Sequence, residues 1–278
     1  MNHQTSRISR IQLSAGRVFW REAGSRDNPV LIFLHGSWHD CSQWTEIVEP
    51  LSGDFHCFTL DLLGYGNSTA IEPPNSIAIQ VDCLNEFITT LKLSPVYLIG
   101  HSLGAWIAIS QTLNSPDTIR GVVAISPEGY SLNNWDKYGR FTKYILVHPW
   151  LLSLWLNGLK ALSSLSDGAL WLTKAQAYWQ FFQQFPTTCR IFFSRSNRSI
   201  GKELVTDRLA QFRLPLYIIQ DDRDQPIVIK QSQAYARAVH KAEYRSIPTP
   251  SAHQISQEIA KFVIRVESHV EQEEIDLW

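Results

Sequence analysis

The chain has 278 residues, of which 44% are hydrophobic and 18% are charged, and its formal net charge at pH 7 is −1. This length allows one large α/β domain with an insertion or two small domains, and the composition excludes a disordered chain. Because the net charge is close to zero, we expect neither nucleic acid nor another polyanion as a partner.

The four cysteines are scattered along the chain, and no Cys-x-x-Cys pair or Cys–His spacing indicates a zinc site. Cys57 and Cys83 stand in apolar patterns, which predicts reduced core residues. The polar residues 1–10 contain no apolar segment typical of a secretory signal. We therefore expect a cytoplasmic protein that uses no metal and no cofactor.

Alternating strand and helix patterns run through the first half of the chain. Residues 11–13 and 18–20 predict a hairpin joined through Ala15-Gly16. Apolar spacing of three and four residues predicts an amphipathic helix over 77–91, and the small apolar run 103–113 predicts a buried helix. Continuous apolar runs, typical of buried strands, occur at residues 30–34, 55–60, 96–99 and 121–125.

The alternation is interrupted over residues 128–213, which are rich in Trp, Tyr, Phe and Leu at helical spacing and show no strand pattern. It then resumes with a strand at 214–219, a helix at 229–240, a strand at 243–247 and a helix at 255–270. These patterns predict an α/β fold, a mostly parallel sheet with helices on both faces. The core is expected at 1–127 and 214–278, with a helical cap inserted at 128–213.

The most apolar surface candidate is the segment 144–159, which contains no Asp, Glu, Lys or Arg. It is shorter than the roughly 20 residues that a membrane span needs, and Pro149 and Gly158 interrupt it. We therefore predict no membrane span, and we regard the cap as a candidate for peripheral membrane contact.

The pentapeptide Gly100–Gly104 matches the G-x-S-x-G motif between a predicted strand and a predicted helix. In that context the serine stands on a sharp turn, with its hydroxyl exposed at the top of the sheet and at a helix N-terminus. The pattern predicts that Ser102 is a nucleophile.

A serine hydroxyl needs a base to take its proton and an acid to orient that base. In parallel sheets these groups gather at the carboxyl ends of strands. Of the nine histidines, His253 follows the last strand in a polar loop and is the predicted base. Three aspartates follow the strand at 214–219; Asp224, deepest in the turn, is the predicted acid, with Asp222 and then Glu128 as alternatives.

Acyl transfer also requires two backbone N–H groups that bind the developing oxyanion. Leu103, directly after the nucleophile, supplies one. The strand at 30–34 leads into His35-Gly36-Ser37-Trp38, where Ser37 is the predicted second donor. Beside these groups, Trp38 and His101 are candidate substrate-binding residues.

Together with the loop Asp61–Ser68, which has the pattern D-x-x-G-x-G-x-S, these motifs resemble the α/β-hydrolase superfamily. The resemblance covers nearly the whole chain and is to the serine-nucleophile branch with a helical cap, whose esterase- and lipase-like members need no cofactor. It implies a triad of Ser102, Asp224 and His253, and a structural role for Asp61–Ser68. Relatives often carry glycine at three positions where this chain has Ala105, Asp221 and Ala252.

The resemblance also limits the reaction. The strand-to-helix turn that carries Ser102 is the nucleophile elbow of this fold. Haloalkane dehalogenases and epoxide hydrolases use an aspartate there, so Ser102 favours attack on a carbonyl. The aromatic cap predicts an apolar pocket, and hence an ester of a hydrophobic acyl group or an aromatic substrate. Lys137, Arg140 and Lys143 fit the exposed face of a helix better than a site that holds a carboxylate, as in C–C hydrolases. The alternatives are a C–C hydrolase, a thioesterase or an acyltransferase with the same triad, and a non-catalytic small-molecule receptor.

Overall fold

Nine strands form one sheet in the computed structural model, which describes residues 6–131, 177 and 180–275. The spatial order is β1-β2-β4-β3-β6-β7-β8-β9, and the short β5 pairs with β2. From β4 to β9 along this order neighbouring strands are parallel, whereas β2 is antiparallel to β1, β4 and β5. The strands are β1 Arg7–Leu13, β2 Gly16–Ala23, β3 Val30–Leu34, β4 His56–Leu60, β5 Thr69–Ala70, β6 Val96–His101, β7 Ile119–Ile125, β8 Leu216–Asp221 and β9 Ala242–Ile247.

Helices cover both faces of the sheet. One buried cluster packs α2, α3 and α6 against one face, and a second packs α1 and α7 against the other. The predicted α/β class, a mostly parallel sheet with helices on both faces, is confirmed. The helices are α1 Thr45–Leu51, α2 Ile77–Thr90, α3 Leu103–Asn114, α4 Pro186–Phe192, α5 Asn197–Gly201, α6 Pro226–Ala238 and α7 Ala252–Ile275, with 3-10 turns at Cys41–Trp44, Pro116–Thr118 and Thr206–Gln211.

Most predicted elements are confirmed, and the helix starts are where the predictions were least accurate. Helix α6 starts at Pro226, three residues before the predicted start, because proline is favoured in the first turn of a helix. Helix α7 starts at Ala252 because Ser251 and Gln254 form a capping box: Gln254 N–H donates to Ser251 Oγ (3.2 Å), and Ser251 N–H donates to Gln254 Oε1 (3.0 Å). Neither α1 nor β5 was predicted.

The described part of the predicted cap is helical, since residues 180–184, α4 and α5 all lie between β7 and β8. The apolar segment 144–159 and several residues singled out above lie outside the described residues, so the boundaries of the cap stay a prediction.

No described helix combines the length and the apolarity that a membrane span requires. Cys57 and Cys83 are buried and free, as predicted. The cap residues Lys137, Arg140 and Lys143, considered above for carboxylate binding, also lie outside the described residues.

At Gly104, the last glycine of the elbow, α3 approaches the sheet closely. A Cβ on Gly104 would lie 2.1 Å from Leu34 O and 2.7 Å from His35 O, both backbone atoms that cannot move aside cheaply. We expect Gly104→Ala to lower the free energy of unfolding by more than about 3 kcal/mol in urea titrations.

The matched control for that variant is Gly201→Ala in α5, where an added Cβ meets nothing within 4 Å. This change is expected to be neutral or to stabilise the protein by up to about 1 kcal/mol, because alanine favours a helix. Equal urea midpoints for Gly104→Ala and the wild type would show that the close approach is not needed.

Candidate active site

The turn between β6 and α3 holds Ser102 in a strained conformation, with φ 52° and ψ −109°. A positive φ is uncommon for a non-glycine residue and persists only where its surroundings hold it. Here Ser102 N–H donates to Ile125 O (2.9 Å), and Ser102 O accepts from Glu128 N–H (3.3 Å). Ser102 is partly exposed, and its Oγ makes no hydrogen bond with the described residues. The predicted strand–turn–helix arrangement is confirmed.

The loop after β3, residues 35–38, lies beside this turn because β3 pairs directly with β6. Gly36 O accepts from His35 Nδ1–H (2.9 Å) and from His39 N–H (3.3 Å). The C=O and N–H of one planar peptide point in opposite directions, so these bonds also fix the direction of Ser37 N–H. That amide has no hydrogen-bond partner among the described residues.

The second predicted oxyanion donor, Leu103, is the first residue of α3. The first amides of a helix have no carbonyl partner within the helix, and they lie at its positive end. An addition to Ser102 would therefore take place beside a helix N-terminus that favours a developing negative charge.

Two histidines beneath the site are held neutral. His35 is fully buried, and its Nε2 accepts from Leu62 N–H (3.1 Å). Burial lowers the pKa of His35 to about 4. His101 packs against Gly36, where a Cβ would lie 2.6 Å from its Nδ1. Burial, reinforced by His39 and opposed by Asp224, lowers the pKa of His101 to about 4.

The loop Asp61–Ser68 is organised around the buried carboxylate of Asp61. It accepts from Cys41 N–H (2.7 Å) and Asn67 N–H (2.7 Å), and a Cβ on Gly66 would lie 2.3 Å from its Oδ2. The side chains of Asp40, Cys41 and Asp61 come close enough to resemble a metal site. However, burial raises the pKa of the Cys41 thiol, which keeps it protonated, and amides already occupy the Asp61 oxygens. This cluster is a hydrogen-bonded turn.

Asp224 lies where β8 and β7 end side by side. Its Oδ2 accepts from Ser126 Oγ–H (2.6 Å), at the end of β7, and from Gln220 Nε2–H (2.6 Å), in β8. Ser126 directly follows Ile125, whose carbonyl holds the Ser102 amide. The structure therefore brings Asp224 to the strand end next to the elbow. The role of Ser126 and Gln220 was missed by the sequence analysis, because nothing in the local pattern of either residue marks it.

The two alternative acids are placed differently. Asp222 is exposed. Glu128 contributes its backbone, which binds Ser102 O through its N–H and accepts from Tyr235 Oη–H (2.6 Å) through its carbonyl.

His253 lies in the first turn of α7 rather than in the preceding polar loop, so the predicted location was wrong by one element. The capping box of Ser251 and Gln254 is the physical reason. The side chain is exposed, and its Nε2 accepts from Gln257 Nε2–H (2.9 Å), one helical turn on. Among the described residues, no hydrogen bond joins His253 to Ser102 or Asp224.

The segment that leads into α4 packs on the loop after β3. The indole of Trp38 contacts three phenylalanine rings, with centroid distances of 5.4–5.7 Å. An apolar, partly exposed wall thus stands next to Ser37. The three rings are Phe181, Phe182 and Phe185.

Comparison with known proteins adds the family relationship. The sequence profile of the Alpha/beta hydrolase family matches residues 31–262. The chain is 31% identical over 144 residues to epoxide hydrolase 4 of Mus musculus, covering 50% of this chain and 37% of that protein. It is 32% identical over 116 residues to (E)-2-((N-methylformamido)methylene)succinate hydrolase of Acinetobacter baylyi, covering 42% and 44%. The matches thus span less than half the length of these curated relatives.

Among solved structures, haloalkane dehalogenase DbeA from Bradyrhizobium elkani superposes with a TM-score of 0.72 and 17% sequence identity. The superposition covers 95% of this chain and 100% of that one. At this level of identity the likeness establishes the fold alone.

The lowered pKa of His101 predicts a loss of stability in acid. An unfolded histidine has a pKa near 6.5, so between pH 6.5 and about 4 the unfolded chain binds the proton and the folded chain does not. The stability from the neutral ring is therefore complete above pH 6.5 and is lost as the pH falls. Denaturant titrations at pH 7 and pH 5 should give a smaller drop for His101→Leu than for the wild type, by about 1 to 2 kcal/mol. Equal drops would contradict the assignment.

Proposed function

Because this chain belongs to the alpha/beta hydrolase family, we propose that it is a serine hydrolase in which Ser102 attacks a carbonyl carbon. The observation that carries the proposal is the strained Ser102 at the N-terminus of α3, whose hydroxyl makes no hydrogen bond within the described residues. A strained nucleophile on a strand-to-helix turn is the mechanical feature that this chemistry uses.

In the proposed reaction Ser102 Oγ adds to the carbonyl carbon while His253 takes its proton. The N–H groups of Ser37 and Leu103 bind the resulting oxyanion. When the tetrahedral adduct collapses, the C–O bond to the leaving alcohol breaks, and the alcohol takes the proton from His253. Water then hydrolyses the acyl-enzyme by the same two steps, and free Ser102 is restored.

The proposed role of Asp224 is to orient His253 and to stabilise it when it is protonated. The imidazole of His253 must first exchange the hydrogen bond that it accepts from Gln257 for one that it accepts from Ser102 Oγ–H. The proximity of the strand ends supports this exchange, since Thr249 N–H, in the loop before α7, donates to Asp221 Oδ1 at the end of β8 (3.1 Å). The exposure of the His253 side chain allows it to change partner.

Serine at position 102 decides against two reactions known in this family. An aspartate that displaces a halide or opens an epoxide forms an ester, which water can hydrolyse. Serine in the same role forms an ether, which water does not cleave, so the enzyme would not turn over. A carbonyl substrate avoids this problem because the acyl-enzyme is an ester.

For the substrate we propose an ester with a hydrophobic acyl group or an aromatic group. The support is the aromatic wall of Trp38 and its three phenylalanine partners beside Ser37, because ligand sites are mostly apolar with a few polar anchors. The four free cysteines support a reducing compartment such as the cytoplasm. A C–C bond hydrolase, a thioesterase or an acyltransferase would share the same residues, and p-nitrophenyl esters of increasing chain length separate these from an esterase.

The nucleophile can be identified by labelling with a fluorophosphonate probe. Ser102 Oγ is expected to attack phosphorus and expel fluoride, which adds one phosphonyl group located at residue 102 by peptide mass spectrometry. Ser102→Ala and heat-denatured wild type serve as controls and should stay unlabelled. If folded wild type also stays unlabelled at Ser102, the protein is better described as a non-catalytic receptor.

The choice of acid can be tested by comparing two neighbouring aspartates. Asp224→Asn is expected to lower kcat for p-nitrophenyl butyrate by roughly 10⁴-fold, as removal of a triad acid does. Asp222→Asn, a change at an exposed side chain, is the matched control and should retain near-normal kcat. Near-normal activity in Asp224→Asn, with a loss in Asp222→Asn or Glu128→Gln, would assign the role to whichever of Asp222 and Glu128 shows the loss.

A further inference from the structure

Helix α4 reaches the loop that carries the predicted oxyanion donor. We propose that Thr188 in this helix is a positioning residue, whose hydroxyl holds the Ser37 peptide in the geometry that oxyanion binding requires. The inference rests on the proposed function, because it assumes that Ser37 N–H binds the oxyanion.

The contact is a chain of three buried groups. Thr188 Oγ1–H donates to Ser37 O. A threonine hydroxyl has one proton, so the 2.9 Å contact with Tyr65 must be a bond that Tyr65 Oη–H donates to Thr188 Oγ1. Thr188 is 0% exposed, Ser37 3% and Tyr65 4%. These three groups bond to one another in a buried site, and breaking either bond leaves a buried polar group without its partner, which makes the chain rigid.

This bond completes the restraint on both sides of Ser37. The peptide before its Cα is fixed through Gly36 O by His35 Nδ1–H and His39 N–H. The peptide after its Cα is fixed through Ser37 O by Thr188. With both planar peptides held, φ and ψ of Ser37 are fixed, and so is the direction of its N–H. Oxyanion stabilisation depends on donors that are already in place when the charge develops.

Thr188 also links the insertion between β7 and β8 to the core. Helix α4 belongs to the insertion between β7 and β8, the predicted cap, whereas Ser37 follows β3 in the core. A substrate that moves α4 would therefore change the restraint on the oxyanion loop.

The adjacent residue provides a matched control. Thr187 is 1% exposed in the same helix turn, and its hydroxyl donates to Gly64 O (2.8 Å) rather than to the oxyanion loop. Thr187→Val and Thr188→Val each remove one buried hydroxyl and leave one carbonyl without its donor, and Thr188→Val also leaves Tyr65 Oη–H without its acceptor. Thr188→Val should therefore lose somewhat more stability than Thr187→Val, and the two variants differ in which loop is released.

The experiment measures the rate of fluorophosphonate labelling at Ser102, together with kcat and KM for p-nitrophenyl butyrate. Thr188→Val is expected to slow labelling and kcat roughly tenfold, less than the hundredfold or more lost when an oxyanion donor is deleted. KM should change by less than about twofold, since the loss is in transition-state stabilisation. Thr188→Ser, which keeps the hydroxyl, should restore both rates, and Thr187→Val should match the wild type.

The outcomes separate this inference from the proposed function. Labelling rates that are equal in Thr188→Val and Thr187→Val, or a change in KM alone, would overturn the positioning role while Ser102 remains the nucleophile. Absence of labelling at Ser102 in the wild type would overturn the proposed function and this inference with it. If Thr188→Val does not fold, Thr188→Cys, which replaces the hydroxyl by a weak thiol donor, takes its place, and labelling as fast as in Thr187→Val would overturn the role.

Discussion

The backbone contact between α3 and β3 is the constraint on which the rest of the site depends. Gly104 lies against the carbonyls of Leu34 and His35, and a Cβ on Gly100 would be 2.4 Å from Ala105 N. Only glycine allows backbones to approach so closely. This contact forces the chain into a sharp turn at Ser102 and brings the first residue of α3 beside the loop after β3. The strain at Ser102 and the positions of Leu103 and of the loop that carries Ser37 all follow from it.

The polar groups around this contact divide into those that hold the loops and those that are available for chemistry. The ring of His35 and the carboxylate of Asp61 are buried and bonded to backbone, and the partly buried ring of His101 packs against the backbone of Gly36. Burial lowers the pKa of both rings to about 4, so both are neutral at pH 7. Asp224 is anchored at the neighbouring strand ends, and His253 remains exposed on α7. The groups that hold the loops are thus buried or partly buried, whereas the proposed base is exposed on a helix.

The fold alone does not decide the reaction, because one fold hosts many activities. The relatives include an epoxide hydrolase and an (E)-2-((N-methylformamido)methylene)succinate hydrolase, which illustrates the range. Two local features narrow it in this chain. In the proposed function, the residue at the elbow determines whether water can hydrolyse the covalent intermediate. The aromatic wall around Trp38 favours an apolar substrate group beside Ser37.

The sequence by itself determined the order of strands and helices, the elbow at Ser102 and the loops after β3 and β4, because their signals are short patterns of apolar residues and glycines read over a few positions. It also placed Asp224 after the correct strand. Only the tertiary structure decided what depends on residues far apart in the chain. Ser126 and Gln220 converge on Asp224, and Thr188 reaches Ser37 across a separation of 151 residues. The position of His253 differs from these, since local contacts set it: a helix cap starts α7 before it, and a neighbour four residues on binds its ring. Long-range contacts leave no periodicity in the sequence, because they arise only when the whole sheet has formed.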